Sequence, residues 1–269
     1  MPFFTPGDDP GANFPDLLRR VGLAPETHIG GIGIEGAGLK GTGAFDIPHA
    51  TTCVALRYAD GVVMAGDRRA TSGNLISHRR MEKVVQADRH SGIAIAGAAG
   101  PAMEMVRLFQ LQLEHYEKVE GSAISLEGKA NQLSMMVRSN LPAAMQGMVV
   151  VPIFAGYDPR RGAGRLWDYD PTGGRYEERD YVATGSGSLH AGTVIKIGYR
   201  SDLDRDAAIE LVARALWEAA DADSATGGPD PLRGIYPIVA TIDADGWIRV
   251  ADDDLATRYE TIAGEVRSR

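Results

Sequence analysis

The pattern of apolar and polar positions changes abruptly at Thr51. From there, TTCVALRY (Thr51–Tyr58) and GVVMAG (Gly61–Gly66) form two apolar, β-branched runs that meet at Ala59-Asp60-Gly61, and Asp-Gly between such runs signals a hairpin. Shorter strand-like runs follow at Glu82–Gln86 and Gly92–Ala96. The period then switches. Val106, Phe109, Leu113 and Tyr116 recur at helical spacing, which predicts a helix over Pro101–Val119 with proline at its start. A second helix is expected over Ser125–Met148, capped by Ser125 and kinked or ended early by Pro142. Strands at Val149–Tyr157 and Gly164–Asp170, the second closed by Pro-Thr-Gly-Gly, precede a third helix at Asp204–Ala220 with Ile209, Val212, Ala213 and Leu216 on one face. The runs IYPIVATID and GWIRV meet at Asp243-Ala244-Asp245-Gly246, and a short polar helix is expected at Asp254–Val266.

Strands and helices thus come in groups and do not alternate singly. That order argues for an α+β layered domain, with two antiparallel sheets packed face to face and helices outside, and against a parallel doubly wound sheet. Residues 1–50 behave differently. Pro2, Pro6, Pro10, Pro15, Pro25 and Pro48 interrupt them, and glycine recurs at every second or third position from Gly30 to Gly43. Such a stretch loses much entropy on ordering and buries little apolar surface. One short helix is expected around Phe14–Val21. Composition reads this region as a tail, and its sharp boundary at Thr51 also fits a removable prosegment.

Composition narrows the function classes. The chain has 269 residues, 44% hydrophobic and 24% charged, which suffices for one large domain. A formal charge of -8 predicts a soluble chain with no electrostatic reason to bind nucleic acid. The single cysteine, Cys53, excludes an internal disulfide and any multi-cysteine metal site, and it fits a reducing cytoplasm. No apolar run spans a bilayer, and the acids and prolines of the first twenty residues do not form a secretion signal.

Several motifs carry chemistry only in combination. Asp67-Arg68-Arg69 at a strand end is ordinarily a solvated turn. Lys83 in EKVVQ falls on the same strand face as Val85, and a lysine on a core-facing position calls for a partner carboxylate or a role as a cation. AIAGAAG (Ala94–Gly100) runs from a strand into small residues ahead of a helix, where backbone can approach a ligand or simply pack tightly. TGSGS (Thr184–Ser188) and DSATGG (Asp223–Gly228) match neither a phosphate-cradling P-loop nor the nucleophile elbow of α/β-hydrolases. Glu114-His115-Tyr116-Glu117 is not a zinc-binding H-E-x-x-H and reads as helix surface.

Taken in order, TTCVALRYADGVVMAGDRRAT, Lys83 in MEKVV, IAIAGAAG, HYEKVEG, NLPAAMQG, GYD, ATGSGSL and DSATGGPDPLRGIYP resemble the catalytic β subunit of the actinobacterial proteasome core, from Thr51 to about Val250. The resemblance implies a four-layer αββα sandwich, the N-terminal nucleophile hydrolase fold, over residues 51–269. It implies a propeptide over residues 1–50, removed autocatalytically by cleavage between Ala50 and Thr51. Thr51 would then supply Oγ as nucleophile, with its freed α-amine as general base. Lys83 would lower the effective pKa of that hydroxyl and amine, and Asp67 would hold Lys83. The N–H of Gly97 would form the oxyanion hole, and Ser186, Asp223 and Thr226 would surround the terminal amine. Substrate would be bound by Ala70 and Thr71, by Met81, Val85 and Ile95, and by Ala99 and Met103. These apart from Thr71 are apolar, which points to cleavage after hydrophobic residues. The chain departs from the family pattern at Ala50, where glycine is usual, and at Thr226, where serine is common and the hydroxyl is retained.

The chemistry is sound by itself. A threonine hydroxyl is a weak nucleophile that needs an adjacent base. A free α-amine titrates near ~7.7–8.0, so part of it accepts protons at neutral pH, whereas the same nitrogen in an Ala50–Thr51 amide cannot. The resemblance further implies a cytoplasmic α7β7β7α7 barrel with proteasome α subunits and other β subunits. A ring ATPase would feed it unfolded proteins tagged with a ubiquitin-like modifier, without metal or organic cofactor, nucleic acid or membrane. Two other readings compete. The simpler bacterial ATP-dependent threonine peptidase shares the Thr-Thr start but has a shorter chain and almost no prosegment. A non-catalytic ring subunit would have no reason to keep Thr51, Asp67 and Lys83 together.

Overall fold

The computed structural model describes residues 51–72 and 75–268. The expected helix at Phe14–Val21 and the proposed propeptide, up to Ala50, lie outside the described residues.

The hairpin forms as its sequence requires: β1 (Thr52–Tyr58) and β2 (Gly61–Gly66) pair antiparallel, with Tyr58 opposite Gly61. The small hairpin β3 (Ala70–Ser72) and β4 (Leu75–His78) follows, then β5 (Val84–Asp88) and β6 (Ser91–Gly97). Helix α1 (Ala99–Glu120) begins two residues before its Pro101, and α2 (Leu126–Ser139) is capped by Ser125, whose Oγ accepts from Gly128 N at 3.1 Å. Pro142 acts as expected. The helix stops at Ser139, and only the short α3 (Leu141–Ala144) continues past Asn140. Next come β7 (Val150–Asp158), β8 (Ala163–Tyr169), β9 (Arg175–Glu178) and β10 (Tyr181–Gly185). Helices α4 (Ser188–Gly198) and α5 (Arg205–Ala222) lead to β11 (Ile238–Asp243), β12 (Gly246–Arg249) and α6 (Asp252–Arg267). Asp204 is the cap of α5 and lies outside it; its carboxylate accepts from Ala207 N at 2.8 Å.

The sequence pattern did not predict β3, β4, β9, β10 or α4. The first three are short and polar or exposed, and β10 is only five residues long with two of them buried. Helix α4 buries only Ala191 and Ile195 completely, a stripe too thin to stand out between the glycines that bracket it.

The strands build two antiparallel five-stranded sheets, ordered β10-β1-β2-β11-β12 and β5-β6-β7-β8-β9. Cys53, Ala55 and Met64 of the first meet Ala94, Ile153 and Leu166 of the second in an apolar layer between them. The opposite face of the first sheet, with Val54, Leu56 and Val63, is covered by α4, α5 and α6 through Ile195, Leu216 and Tyr259. The outer face of the second, with Ile93, Phe154 and Trp167, is covered by α1 and α2 through Phe109 and Leu133. The four-layer αββα sandwich is thus present. It explains why β1 and β2 read as unbroken apolar runs: both faces of each are buried, so the usual in-out alternation disappears.

Candidate active site

Thr51 stands immediately ahead of β1, at one end of the first sheet, and is 4% exposed. Its carbonyl accepts from Ser186 N at 2.8 Å, and Ser186 Oγ lies 3.4 Å from it. This contact depends on Gly185, which pairs with Thr52 and turns at φ +96°. A Cβ there would lie 1.8 Å from the Thr51 carbonyl oxygen, so only glycine lets the two segments meet.

Asp67 follows β2 directly. Because Gly66 pairs with Cys53, the next residue lands beside Thr52, and Asp67 N donates to Thr52 O at 3.1 Å. The Asp67 carboxylate is fully buried and receives four donors. Its Oδ1 accepts from Thr52 N at 2.9 Å and from Lys83 Nζ at 2.7 Å. Its Oδ2 accepts from Arg69 N at 2.8 Å and from Gly227 N at 2.9 Å. A buried carboxylate with every oxygen hydrogen-bonded and a cation against it meets the conditions under which charge survives desolvation. Lys83 reaches it from just ahead of β5 in the opposing sheet, so the pair ties the two sheets together beside Thr51. Lys83 thus precedes the strand and does not share a face with Val85, which packs on the helix side, but it has the partner carboxylate that a buried lysine requires.

On the other side, Asp223 closes the C-terminal end of α5. Its Oδ2 accepts from Ser186 Oγ and from Thr226 Oγ1, each at 2.5 Å, and its Oδ1 from Ala225 N at 3.1 Å. Burial pushes this carboxyl up, but the hydrogen bonds from Ser186, Thr226 and Ala225 outweigh it and hold the group below the ordinary carboxylate value. Cys53 lies within the layer between the sheets, where burial pushes its thiol up to about 12 against the opposing pull of Lys83. It stays a protonated apolar filler and offers no thiolate.

Gly97 ends β6 at φ +120°, and a Cβ there would fall 2.1 Å from Val149 O. The sequence-predicted substrate residues are spread over several elements. Ala70 and Thr71 open β3, three and four residues after Asp67, and Met81 is tied back to Arg68 by a 3.1 Å hydrogen bond from its N–H. Val85 packs against the helix-side cluster that contains Ile95, while Ala99 and Met103 are exposed on the first turn of α1. Sequence reasoning missed Thr52, Gly185 and Gly227 as contributors. The glycines lie within motifs singled out for their composition, but their contacts join segments far apart in the chain.

A two-sheet αββα sandwich with a threonine at the head of its first strand is the architecture of the N-terminal nucleophile hydrolases. Residues 47–230 match the proteasome subunit family. The chain is 54% identical to the proteasome subunit beta of Acidimicrobium ferrooxidans over 268 residues, covering 99% of this chain and 93% of that one. It is 58% identical to the proteasome subunit beta of Streptomyces griseus over 212 residues, covering 79% and 75%. Against that of Acidothermus cellulolyticus it is 56% identical over 222 residues, covering 81% and 76%. The chain belongs to the proteasome subunit family, and these relatives are its β subunits. Among the described residues, no helix is long and apolar enough to cross a membrane, and no group of three or more His, Cys, Asp or Glu is placed to hold a metal ion.

Proposed function

We propose that this chain is a threonine endopeptidase subunit, activated when residues 1–50 are removed autocatalytically between Ala50 and Thr51. Thr51 Oγ attacks the substrate carbonyl while the new terminal amine takes the hydroxyl proton. The N–H of Gly97 stabilises the oxyanion, a contribution typically worth roughly 3–4 kcal/mol of barrier. The amine then hands the proton to the departing peptide amine, and water hydrolyses the acyl-threonine ester. Lys83, fixed by Asp67, supplies positive charge where the oxygen of Thr51 develops negative charge. Ser186, Asp223 and Thr226 hold the terminal amine. The observation that carries this reading is the buried Lys83–Asp67 pair, whose carboxylate also takes the N–H of Thr52, next to Thr51.

The chain works within an α7β7β7α7 barrel in the cytoplasm. Its α subunits and other β subunits enclose the sites, and a ring ATPase supplies unfolded proteins carrying a ubiquitin-like tag. Ala70, Met81, Val85, Ile95, Ala99 and Met103, with Thr71, receive hydrophobic side chains ahead of the cut. The test is to assemble the full chain with α subunits, then record its intact mass and its peptidase activity. A chain starting at Thr51 that cuts after hydrophobic residues, and a Thr51→Ala variant that neither matures nor cuts, are expected. An active uncleaved chain would overturn the role of the terminal amine.

A further inference from the structure

Thr52 lies between the two groups of residues to which the proposed reaction gives roles. Its N–H donates to Asp67 Oδ1, the oxygen that also holds Lys83. Its Oγ1 accepts from Gly187 N at 3.0 Å and lies 2.5 Å from Thr226 Oγ1. Thr226 Oγ1 is in turn 2.5 Å from Asp223 Oδ2, and both threonines are wholly buried.

The direction of these bonds follows from counting protons. An ionised carboxylate only accepts, and a threonine hydroxyl has one proton. Thr226 therefore gives its proton to Asp223, and the proton between the two threonines comes from Thr52. Gly187 N–H fills the other side of the Thr52 oxygen. The chain runs one way, from Gly187 to Thr52 to Thr226 to Asp223, where the Ser186 hydroxyl also donates. Close backbone approach builds it: a Cβ on Gly187 would lie 2.4 Å from Thr52 Oγ1 and 2.7 Å from Thr226 Oγ1. Through its N–H and its hydroxyl, Thr52 touches both halves of the site.

We propose that Thr52 is a positioning residue for the peptidase reaction, whose hydroxyl orients the hydrogen bonds around Asp223 and whose backbone N–H joins them to the Lys83–Asp67 pair. The inference rests on the reading of Thr51 as nucleophile. Removing the hydroxyl takes the acceptor from Gly187 N–H and the donor from Thr226, which weakens donation into Asp223. An Asp223 carboxylate with weaker donors keeps more negative charge for the terminal amine that it holds, which favours the protonated amine, so the acid limb of the activity profile moves to higher pH.

The test compares Thr52→Ala with Thr52→Ser in the full chain assembled with α subunits, with intact mass confirming maturation. We expect Thr52→Ala to lower kcat about 10- to 100-fold with little change in KM and to shift the acid limb upward. Thr52→Ser restores both. Should Thr52→Ala fail to assemble, Thr226→Ala interrupts the same chain from its other end and should produce the same shift. A wild-type pH profile in whichever variant assembles overturns the proposal. So does a serine variant as impaired as the alanine one, because the methyl would then be what matters. A Thr51→Ala control separates the two claims: if it is active, the nucleophile is wrong, and if it is dead while Thr52→Ala is unaffected, only the role of Thr52 fails.

Discussion

Two buried lysines, each against an aspartate, occupy different parts of the molecule. Lys83 pairs with Asp67 between the two sheets beside Thr51, and Lys129 of α2 pairs with Asp88 at the end of β5. Their partners differ in where the remaining donors come from. Asp88 Oδ1 takes His90 N from the turn that follows it and Ser91 Oγ from the start of β6, so this pair fastens one helix to one local hairpin. Asp67 gathers N–H groups from Thr52, Arg69 and Gly227, so it fixes three separate backbone segments as well as a cation. Its carboxylate is wholly buried, whereas the Asp88 side chain is 18% exposed. A buried ion pair is therefore not a functional signal by itself. What distinguishes Lys83 is the convergence of distant segments on its partner at the head of β1.

The largest expected consequence of this difference is in activity. Lys83→Ala should reduce peptide hydrolysis by roughly 10²–10³-fold in assembled particles, the range for losing a preorganised group that stabilises developing negative charge. Retention of more than a tenth of the activity would place Lys83 with Lys129 as a structural pin. Next, Gly185→Ala should cost about 100-fold in kcat, because the added methyl collides with the Thr51 carbonyl and displaces the residue by a fraction of an ångström or more. A crystal structure of the variant with Thr51 unmoved would contradict that.

Lys129→Met should behave differently. Removing one partner of a buried pair typically costs ~3–5 kcal/mol, and the partial hydration of Asp88 reduces this to about 2 kcal/mol. Denaturant unfolding should register the loss, while activity per assembled particle stays within about twofold of the parent, because this pair touches none of the residues placed around Thr51. An inactive but assembled Lys129→Met would erase the distinction between the two pairs.

The smallest effect concerns a carboxylate outside both pairs. Asp170, in the turn after β8, is held down to about 2 by hydrogen bonds from the Thr172 hydroxyl, Gly174 N and the Tyr176 hydroxyl. A carboxyl depressed on folding stabilises the fold above its unfolded value of ~3.9, and that contribution fades as pH falls from there toward about 2. The Tm difference between the parent and Asp170→Asn should therefore shrink from pH 6 to pH 3 with no effect on the ratio of the two lysine variants' activities. A pH-independent difference would mean that the turn is held by shape and not by charge.

Local order was legible in the sequence because hydrophobic periodicity is a local property. The β1–β2 hairpin, α1, the break in α2 at Pro142 and α5 all follow from spacing, caps and proline within a single segment. The family resemblance pointed to Thr51, Asp67, Lys83, Ser186, Asp223 and Thr226 one by one, but a list of residues carries no hydrogen bonds. The bond from Gly227 N to Asp67 crosses 160 positions of sequence, and that from Gly187 N to Thr52 crosses 135. Whether such groups meet depends on how the sheets and helices pack, and on glycines at 185 and 187 that admit no side chain. Sequence determined the longer apolar elements and named the side chains to which the proposed chemistry falls. Tertiary structure alone decided that Thr52 stands between the two carboxylates, because only packing brings those distant turns within hydrogen-bonding reach.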